Sequence, residues 1–204
     1  GKIATVCGKS KWITNEKTRE HSHRFRNKYS AIMVGINTVI EDNPMLNCRL
    51  PNSRNPIRII LDSSLKISLE SNICKTAKDI KTFIATVSDD KKKIKELEGL
   101  GVEIIKTESD DGRVNLKELM KILGEEKDID SVYVEGGASL HASLLKEKLV
   151  NKALVYIAPK IFGGFEAKSP IGGKGIEEPN NAIRLVGSSI TKIDEDLFLE
   201  YYLK

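Results

Sequence analysis

The sequence predicts an α/β fold: a mostly parallel sheet with helices on its faces, finished by antiparallel strands at the C-terminal end. Three observations carry this. Short apolar, β-branched runs alternate with amphipathic charged stretches as far as about residue 150. Beyond that point only strand-like runs remain, and strands without helical crossovers pair antiparallel. The chain has 204 residues, 40% hydrophobic and 30% charged, enough to bury a sizeable core and unlike a disordered composition.

Taken in order, the first helix is expected over residues 15–28, with Thr14 or Asn15 as N-cap. The apolar run AIMVG predicts a strand over 31–35, and a short helix starts near Ile36 and stops at Asp42-Asn43-Pro44. Strands follow over 57–62 and 82–87, a helix over 89–98, a strand over 102–106 and a helix over 115–123. A strand over 131–135 runs into a helix over 138–148. The remaining strands are expected over 152–158, 183–190 and 197–203. The charged runs 89–98 and 117–128 read as solvated helix faces.

Composition excludes several classes. Lys and Arg number 33 against 29 Asp and Glu, so the net charge is +4, too small and too spread for a nucleic-acid binder. Aromatics at 5% argue against a base-stacking platform. No apolar run approaches the ~20 residues of a membrane span, so no membrane partner is expected. Cys7, Cys48 and Cys74 are too few and scattered for a disulfide framework, which points to a reducing cytoplasm. No metal is expected. His21 and His23 point about 200° apart on a helix and are expected to be solvated. Gly8-Lys9-Ser10 is no phosphate-binding loop, because Ile3 stands where the motif needs glycine. Gly172-Gly173-Lys174-Gly175 lacks the dinucleotide-binding spacing and is expected to be a mobile loop.

Two segments carry chemistry. In SVYVEGGASL (131–140) a strand ends in Glu135 and two glycines and breaks into a helix. Ligands bind α/β proteins at such strand ends, and the free N–H groups of a helix start attract anions. A tight turn with a surface glutamate explains the segment about as well. In GINTVIEDNPMLNCR (35–49), Thr38 lies near a helix start and could donate to a phosphate oxygen, while Asp42 and Arg49 are opposite charges on a loop. Arginine suits phosphate because its planar fork makes two parallel bonds. An Asn-Pro turn with a surface ion pair is the plainer explanation. Arg19, His23 and Arg26 share one helix face, either a cationic stripe or a solvated one.

In this order, GKSKWIT, an arginine in the first helix, AIMVGINTVIEDNPMLNCR, NPIRIILD, VYVEGGASLHASLL and VYIAPKIFGG resemble the reductase domain of the bacterial bifunctional riboflavin-biosynthesis deaminase/reductase family. The likeness runs the whole length and is weakest between about 66 and 128. It implies a dihydrofolate-reductase-like, three-layer α/β fold and one reductase domain over residues 1–204. It also implies NADPH-dependent reduction of 5-amino-6-(5-phosphoribosylamino)uracil to its ribitylamino counterpart, a cytoplasmic location and a homodimer. Its sister reaction, on the 2,5-diaminopyrimidinone before deamination, is the alternative, and a non-catalytic dimerisation module is another. The resemblance assigns Ser10, Arg26, Leu46, Arg49 and Glu135 to the substrate. It places Trp12, Thr38, Asp42, Ser63 and the turn and helix start Gly137, Ala138, Ser139, Leu140, His141, Ala142 and Ser143 by the cofactor. Glu135 and Asp42 are the candidate proton-handling carboxylates. Arg26 and Arg49 are expected to fix the 5′-phosphate.

Two departures accompany the likeness. The chain opens at Gly1, and the family's first strand, which precedes that point, is expected to be missing. The deaminase signature, H-x-E with a downstream P-C-x-x-C, is absent, so no deamination is expected.

Overall fold

The computed structural model describes residues 1–204 and resolves two compact units. One comprises Gly1–Ser22 with Ala138–Lys204, the other His23–Gly137. The helix α1 (Glu16–Lys28) runs through the boundary between Ser22 and His23.

The unit His23–Gly137 is built on a five-stranded parallel sheet. Its strands are β1 (Ala31–Gly35), β2 (Ile57–Leu61), β3 (Thr82–Thr86), β4 (Val102–Lys106) and β7 (Val132–Gly136), in the order β4-β3-β2-β1-β7. All the pairings are parallel, with Ala31 opposite both Ile57 and Val132. Because β1 is flanked on both sides and covered on both faces, its residues need no polar alternation. Ala31, Ile32, Met33 and Val34 are all fully buried. The helices α2 (Ile36–Asp42), α3 (Asn72–Lys75), α4 (Lys91–Gly99) and α5 (Leu116–Glu125) supply the crossovers. Val39, Ile73, Cys74 and Leu97 from three of them join Ile32, Val34, Ile60 and Ile84 in one buried cluster. Asp90 and Asn115 cap α4 and α5, accepting from the N–H groups of Lys93 and Glu118. A small hairpin, β5 (Ser109–Asp110) with β6 (Arg113–Val114), precedes α5.

One buried charge stands out in this unit. Arg58 on β2 is fully enclosed and has no carboxylate bonded to it. Its guanidinium donates instead to Thr82 Oγ1, Thr76 Oγ1 and the carbonyls of Ile73, Ile80 and Met45. Burial pulls its pKa down to about 10, so the arginine remains charged at neutral pH while its donors are spent on carbonyls and hydroxyls.

The other unit holds helix α6 (Ala138–Lys146) and a three-stranded antiparallel sheet. Its strands are β8 (Lys152–Ile157), β9 (Leu185–Ile193) and β10 (Asp196–Leu203), in the order β8-β10-β9. A two-residue connection with Asp194 in the left-handed region (φ 53°) turns β9 into β10. Asp196 is buried and accepts the Asn15 N–H at 2.8 Å, while the Asn15 side chain accepts from Thr18 N–H, so Asn15 rather than Thr14 is the cap of α1.

The expected elements are present, most within one or two residues of their predicted limits. The antiparallel strands differ in one respect from a simple finish to the parallel sheet: β10 has β8 on one side and β9 on the other, so they close a sheet of their own. The β5–β6 hairpin and the single-turn α3 were not anticipated. Two to four residues leave no periodicity to read.

Candidate functional site

The chemistry-bearing cluster of the unit His23–Gly137 gathers at the carboxyl ends of β1 and β7. Their register runs Met33 to Val134 and then Val34 to Gly136, so the pairing skips Glu135. An extra residue of this kind bends a strand and re-aims its side chain. Glu135 meets Arg26 of α1 in a two-pronged pair: Nε donates to Oε1 at 2.6 Å and Nη2 to Oε2 at 2.5 Å. The two side chains are only 14% and 18% exposed, so solvent screens the pair poorly. Burial alone would lower the Arg26 pKa, but the bonded Glu135 carboxylate outweighs it and raises it. The third nitrogen, Nη1, donates to the Asn47 carbonyl at 2.8 Å, so each nitrogen of Arg26 has a partner and three of its five N–H groups are used. Stacking supports this geometry, since Phe25 and Tyr29 on α1 both lie 5.8 Å, centroid to centroid, from Tyr133 on β7.

The loop after α2 is fixed at several points. Asn43 ends the helix in the left-handed region (φ 41°), and its side-chain oxygen and carbonyl accept from the backbone and side chain of Asn72. Leu46 is also left-handed (φ 49°) and 3% exposed, its side chain held in the core. Cys48 N–H donates to Asn55 Oδ1, and the Cys48 thiol to the His23 carbonyl. Arg49 N–H donates to His23 Nδ1 at 3.2 Å. The Arg49 side chain is exposed and its guanidinium makes no bond to the protein. Asp42 is exposed as well, and the expected ion pair between Asp42 and Arg49 does not form. The left-handed turns at Asn43 and Leu46 direct the chain inward between those two residues, and the Arg49 backbone is held by His23.

His23 corrects an expectation. It is 5% exposed rather than solvated, and burial first, then the charges of Arg26 and Arg49, lower its pKa to about 4. His21 is not free in solvent either, since its Nδ1 lies 2.9 Å from the Tyr156 hydroxyl and its ring packs edge-on against Phe198. The shared face of Arg19, His23 and Arg26 is therefore neither a bare cationic stripe nor a solvated surface.

Thr38, in the first turn of α2, abuts the end of β7. A Cβ placed on Gly136 would lie 3.1 Å from Thr38 Oγ1 and 3.4 Å from its methyl group. The next residue, Gly137, has φ 95°, which favours glycine. Ser63 lies in a turn organised by the fully buried Asp62, which accepts the N–H groups of Lys66 and Ile67 at 2.9 and 2.8 Å. The Ser63 hydroxyl accepts from Val114 N–H at 3.2 Å.

The remaining expected residues belong to the other unit. Ser10 is half-buried in the N-terminal segment. Trp12 is 63% exposed, with the Arg19 guanidinium 4.4 Å from its ring centroid and Lys160 Nζ bonded to its carbonyl. Residues Ala138 to Ser143 form the first turns of α6, where the leading N–H groups have no partner inside the helix. The glycine-rich loop packs on these turns. Gly172 N–H donates to the Ala138 carbonyl at 3.0 Å, a Cβ on Gly173 would lie 3.3 Å from the Ala142 methyl, and His141 Nδ1 lies 3.0 Å from the Pro170 carbonyl. The glycines serve close packing on α6, so the loop expected to be mobile is instead fastened.

Sequence reasoning did not single out Asn47, or Arg58 inside an apolar strand. Asn47 Oδ1 is buried without a hydrogen-bond partner, within the loop that Arg26 holds. Its only signal was its place between Leu46 and Arg49.

Residues 1–199 match the family model described as the RibD C-terminal domain. The chain is 48% identical over 201 residues to the riboflavin biosynthesis protein RibD of Actinobacillus pleuropneumoniae, covering 98% of this chain and 53% of that protein. It thus spans about half the length of the curated relatives it matches. Among solved structures it is similar to Acinetobacter baumannii RibD, with a TM-score of 0.86 at 25% identity over the whole of this chain and 55% of that one. It is also similar to a diaminohydroxyphosphoribosylaminopyrimidine deaminase/5-amino-6-(5-phosphoribosylamino)uracil reductase of Thermotoga maritima. There the TM-score is 0.77 at 30% identity, over all of this chain and 53% of the other.

Proposed function

The chain belongs to the RibD C-terminal domain family, and on that premise we propose that its 204 residues act as one reductase domain. The reaction is NADPH-dependent reduction of 5-amino-6-(5-phosphoribosylamino)uracil to 5-amino-6-(5-phosphoribitylamino)uracil. The observation that carries the reading is the Arg26–Glu135 pair at the end of β7, with the free Arg49 guanidinium on the adjoining loop. It offers a fixed carboxylate for a polyhydroxylated amine and a separate cation for a phosphate.

The reacting sugar must open before its C1 can be reduced. NADPH, when bound, supplies the hydride for that carbon. Glu135, with Arg26 on both oxygens, keeps lone pairs for the substrate's hydroxyl and amine donors, and its negative charge favours the positive charge that develops at C1. Arg26 orients this carboxylate and is carried over as a substrate contact. Arg49 takes the 5′-phosphate, remote from the reacting carbon, where binding energy positions the substrate without touching the chemistry. Leu46 lends the loop an apolar anchor. Ser10 is carried over as a substrate contact and Asp42 as the second candidate for moving a proton.

The residues fit a phosphate-bearing dinucleotide on two observations. Gly136 packs so closely on Thr38 that a Cβ there would lie 3.1 Å from the Thr38 hydroxyl, which sets that hydroxyl at the end of β7 as a donor for a phosphate. The first turn of α6 has N–H groups without partners inside the helix, and such groups attract an anion. Thr38, Asp42, Ser63 and Gly137 are carried over as cofactor contacts, as are Trp12 and residues Ala138 to Ser143. We further propose a homodimer in the cytoplasm. No helix is long and apolar enough to cross a membrane.

The test is to follow NADPH oxidation with the purified chain, identifying the product by mass. Glu135→Gln should lower turnover at least a hundredfold with NADPH affinity kept. Near-wild-type turnover removes Glu135 from the mechanism.

A further inference from the structure

His23 has no role in the family resemblance, yet its ring meets the Arg49 backbone and lies one helical turn from Arg26. It is 5% exposed, one helical turn before Arg26 on α1, and its Nδ1 accepts the backbone N–H of Arg49 at 3.2 Å. Its carbonyl accepts the Cys48 thiol at 3.3 Å, and Arg26 one turn on donates to the Asn47 carbonyl at 2.8 Å. Three consecutive loop residues, Asn47, Cys48 and Arg49, are therefore fastened to two α1 residues. Of these fastenings only the His23 ring bears on Arg49 itself.

The Arg49 guanidinium is otherwise unbound and sits at the end of a long side chain. Any drift of its backbone is magnified at the cationic tip, and a planar fork that binds phosphate through parallel bonds tolerates little drift. A ring nitrogen that accepts carries no proton, so the proton of the ring is on Nε2. Burial and the flanking positive charges favour that uncharged form.

We infer that His23 is a positioning residue for phosphate recognition: its Nδ1 acceptor fixes the Arg49 backbone and so aims the Arg49 guanidinium at the substrate's 5′-phosphate. This rests on the phosphate role proposed above for Arg49. This role requires an acceptor such as the ring nitrogen, rather than an apolar side chain, at a buried site on α1. A leucine there would fill the space and leave the Arg49 N–H without its acceptor. An asparagine would place Oδ1 where Nδ1 now is.

The test measures ribose 5-phosphate and ribose binding by calorimetry at pH 7.5, with steady-state kinetics alongside, for wild type, His23→Leu, His23→Asn, Arg49→Ala and the double variant His23→Leu/Arg49→Ala. His23→Leu should weaken ribose 5-phosphate about tenfold and raise KM for the phosphorylated substrate, leaving ribose binding and KM for NADPH unmoved. His23→Asn should return both to within about twofold of wild type. In the Arg49→Ala background, His23→Leu should cost nothing further. If His23→Leu fails to fold, the comparison of His23→Asn with His23→Ala decides in its place, with Ala expected weak and Asn restored. Unchanged phosphate binding in the acceptor-free variants, failure of Asn to restore it, or an additive loss in the double variant overturns the inference. If Arg49→Ala binds ribose 5-phosphate like wild type while the wild type still turns over, the phosphate role of Arg49 falls and the reductase reading stands. A wild type that binds ribose 5-phosphate through Arg49 but oxidises no NADPH contradicts the reductase reading alone.

Discussion

Arg26 and Glu135 satisfy each other so fully that either one alone is a liability. Two parallel hydrogen bonds at 2.5 and 2.6 Å, on side chains mostly shut off from water, leave an uncompensated charge when one partner is removed. Arg26→Met should therefore destabilise the chain by about 3 kcal/mol and abolish activity. Urea unfolding checks the first effect and NADPH oxidation the second. His23 makes a distinct statement about pH. Its folded pKa is about 4 against an ordinary 6.5, so between these values the unfolded chain holds more protons than the folded one. Stability from this group is full above about pH 6.5 and is lost as pH falls toward 4, on the order of 3 kcal/mol across that window. His23→Asn should flatten that part of the profile in denaturation measured at successive pH values. Sequence spacing placed His23 and Arg26 on one helix face, and a carboxylate at residue 135. It could not say that Arg26 pairs with Glu135, because the two residues are 109 positions apart and meet only through the packing of α1 on β7.

The elements that present these residues depend on close contacts at their ends. Gly136 at the end of β7 faces Thr38 on α2 so closely that an added Cβ would lie 3.1 Å from its Oγ1 and force it to shift. Gly136→Ala should push α2 away and weaken NADPH at least fivefold while costing only about 1–2 kcal/mol of stability, as modest overpacking does. Fluorescence titration through Trp12 and thermal denaturation separate the two effects. Asp62 ends β2 by receiving two N–H groups in a fully buried turn. Asp62→Asn turns one acceptor into a donor that faces an N–H, and should cost about 2–3 kcal/mol, with the Ser63 turn loosened. At this scale the sequence was most legible. β1 matches its predicted limits because AIMVG is apolar on both faces, as an inner parallel strand requires, and β4 matches because VEIIK is a short β-branched run bounded by Gly101 and Thr107. The skipped pairing at Glu135 was not legible: register is a property of two strands and leaves no mark on one of them.

For the molecule as a whole, the change in pattern near residue 150 marks where antiparallel strands replace parallel ones, while the units divide earlier, between Gly137 and Ala138, with Gly1–Ser22 joining the antiparallel unit. The antiparallel sheet leaves Val155, Ile157, Ile190 and Leu197 more than a third exposed, which supports the proposed homodimer. Sedimentation equilibrium should give about twice the chain mass of 22.7 kDa at micromolar concentration, and a single-chain mass would contradict it. The fastening of the glycine-rich loop to α6 escaped sequence reading because glycine marks both mobile loops and close approaches, and only the partner distinguishes them. The central claim is the reaction itself. Incubating the purified chain with NADPH and, in parallel, with 5-amino-6-(5-phosphoribosylamino)uracil or its 2,5-diaminopyrimidinone precursor tests it most directly. The account predicts stoichiometric NADPH oxidation and a product two mass units heavier with the uracil substrate. No oxidation with it, or turnover confined to the diaminopyrimidinone, would contradict the account.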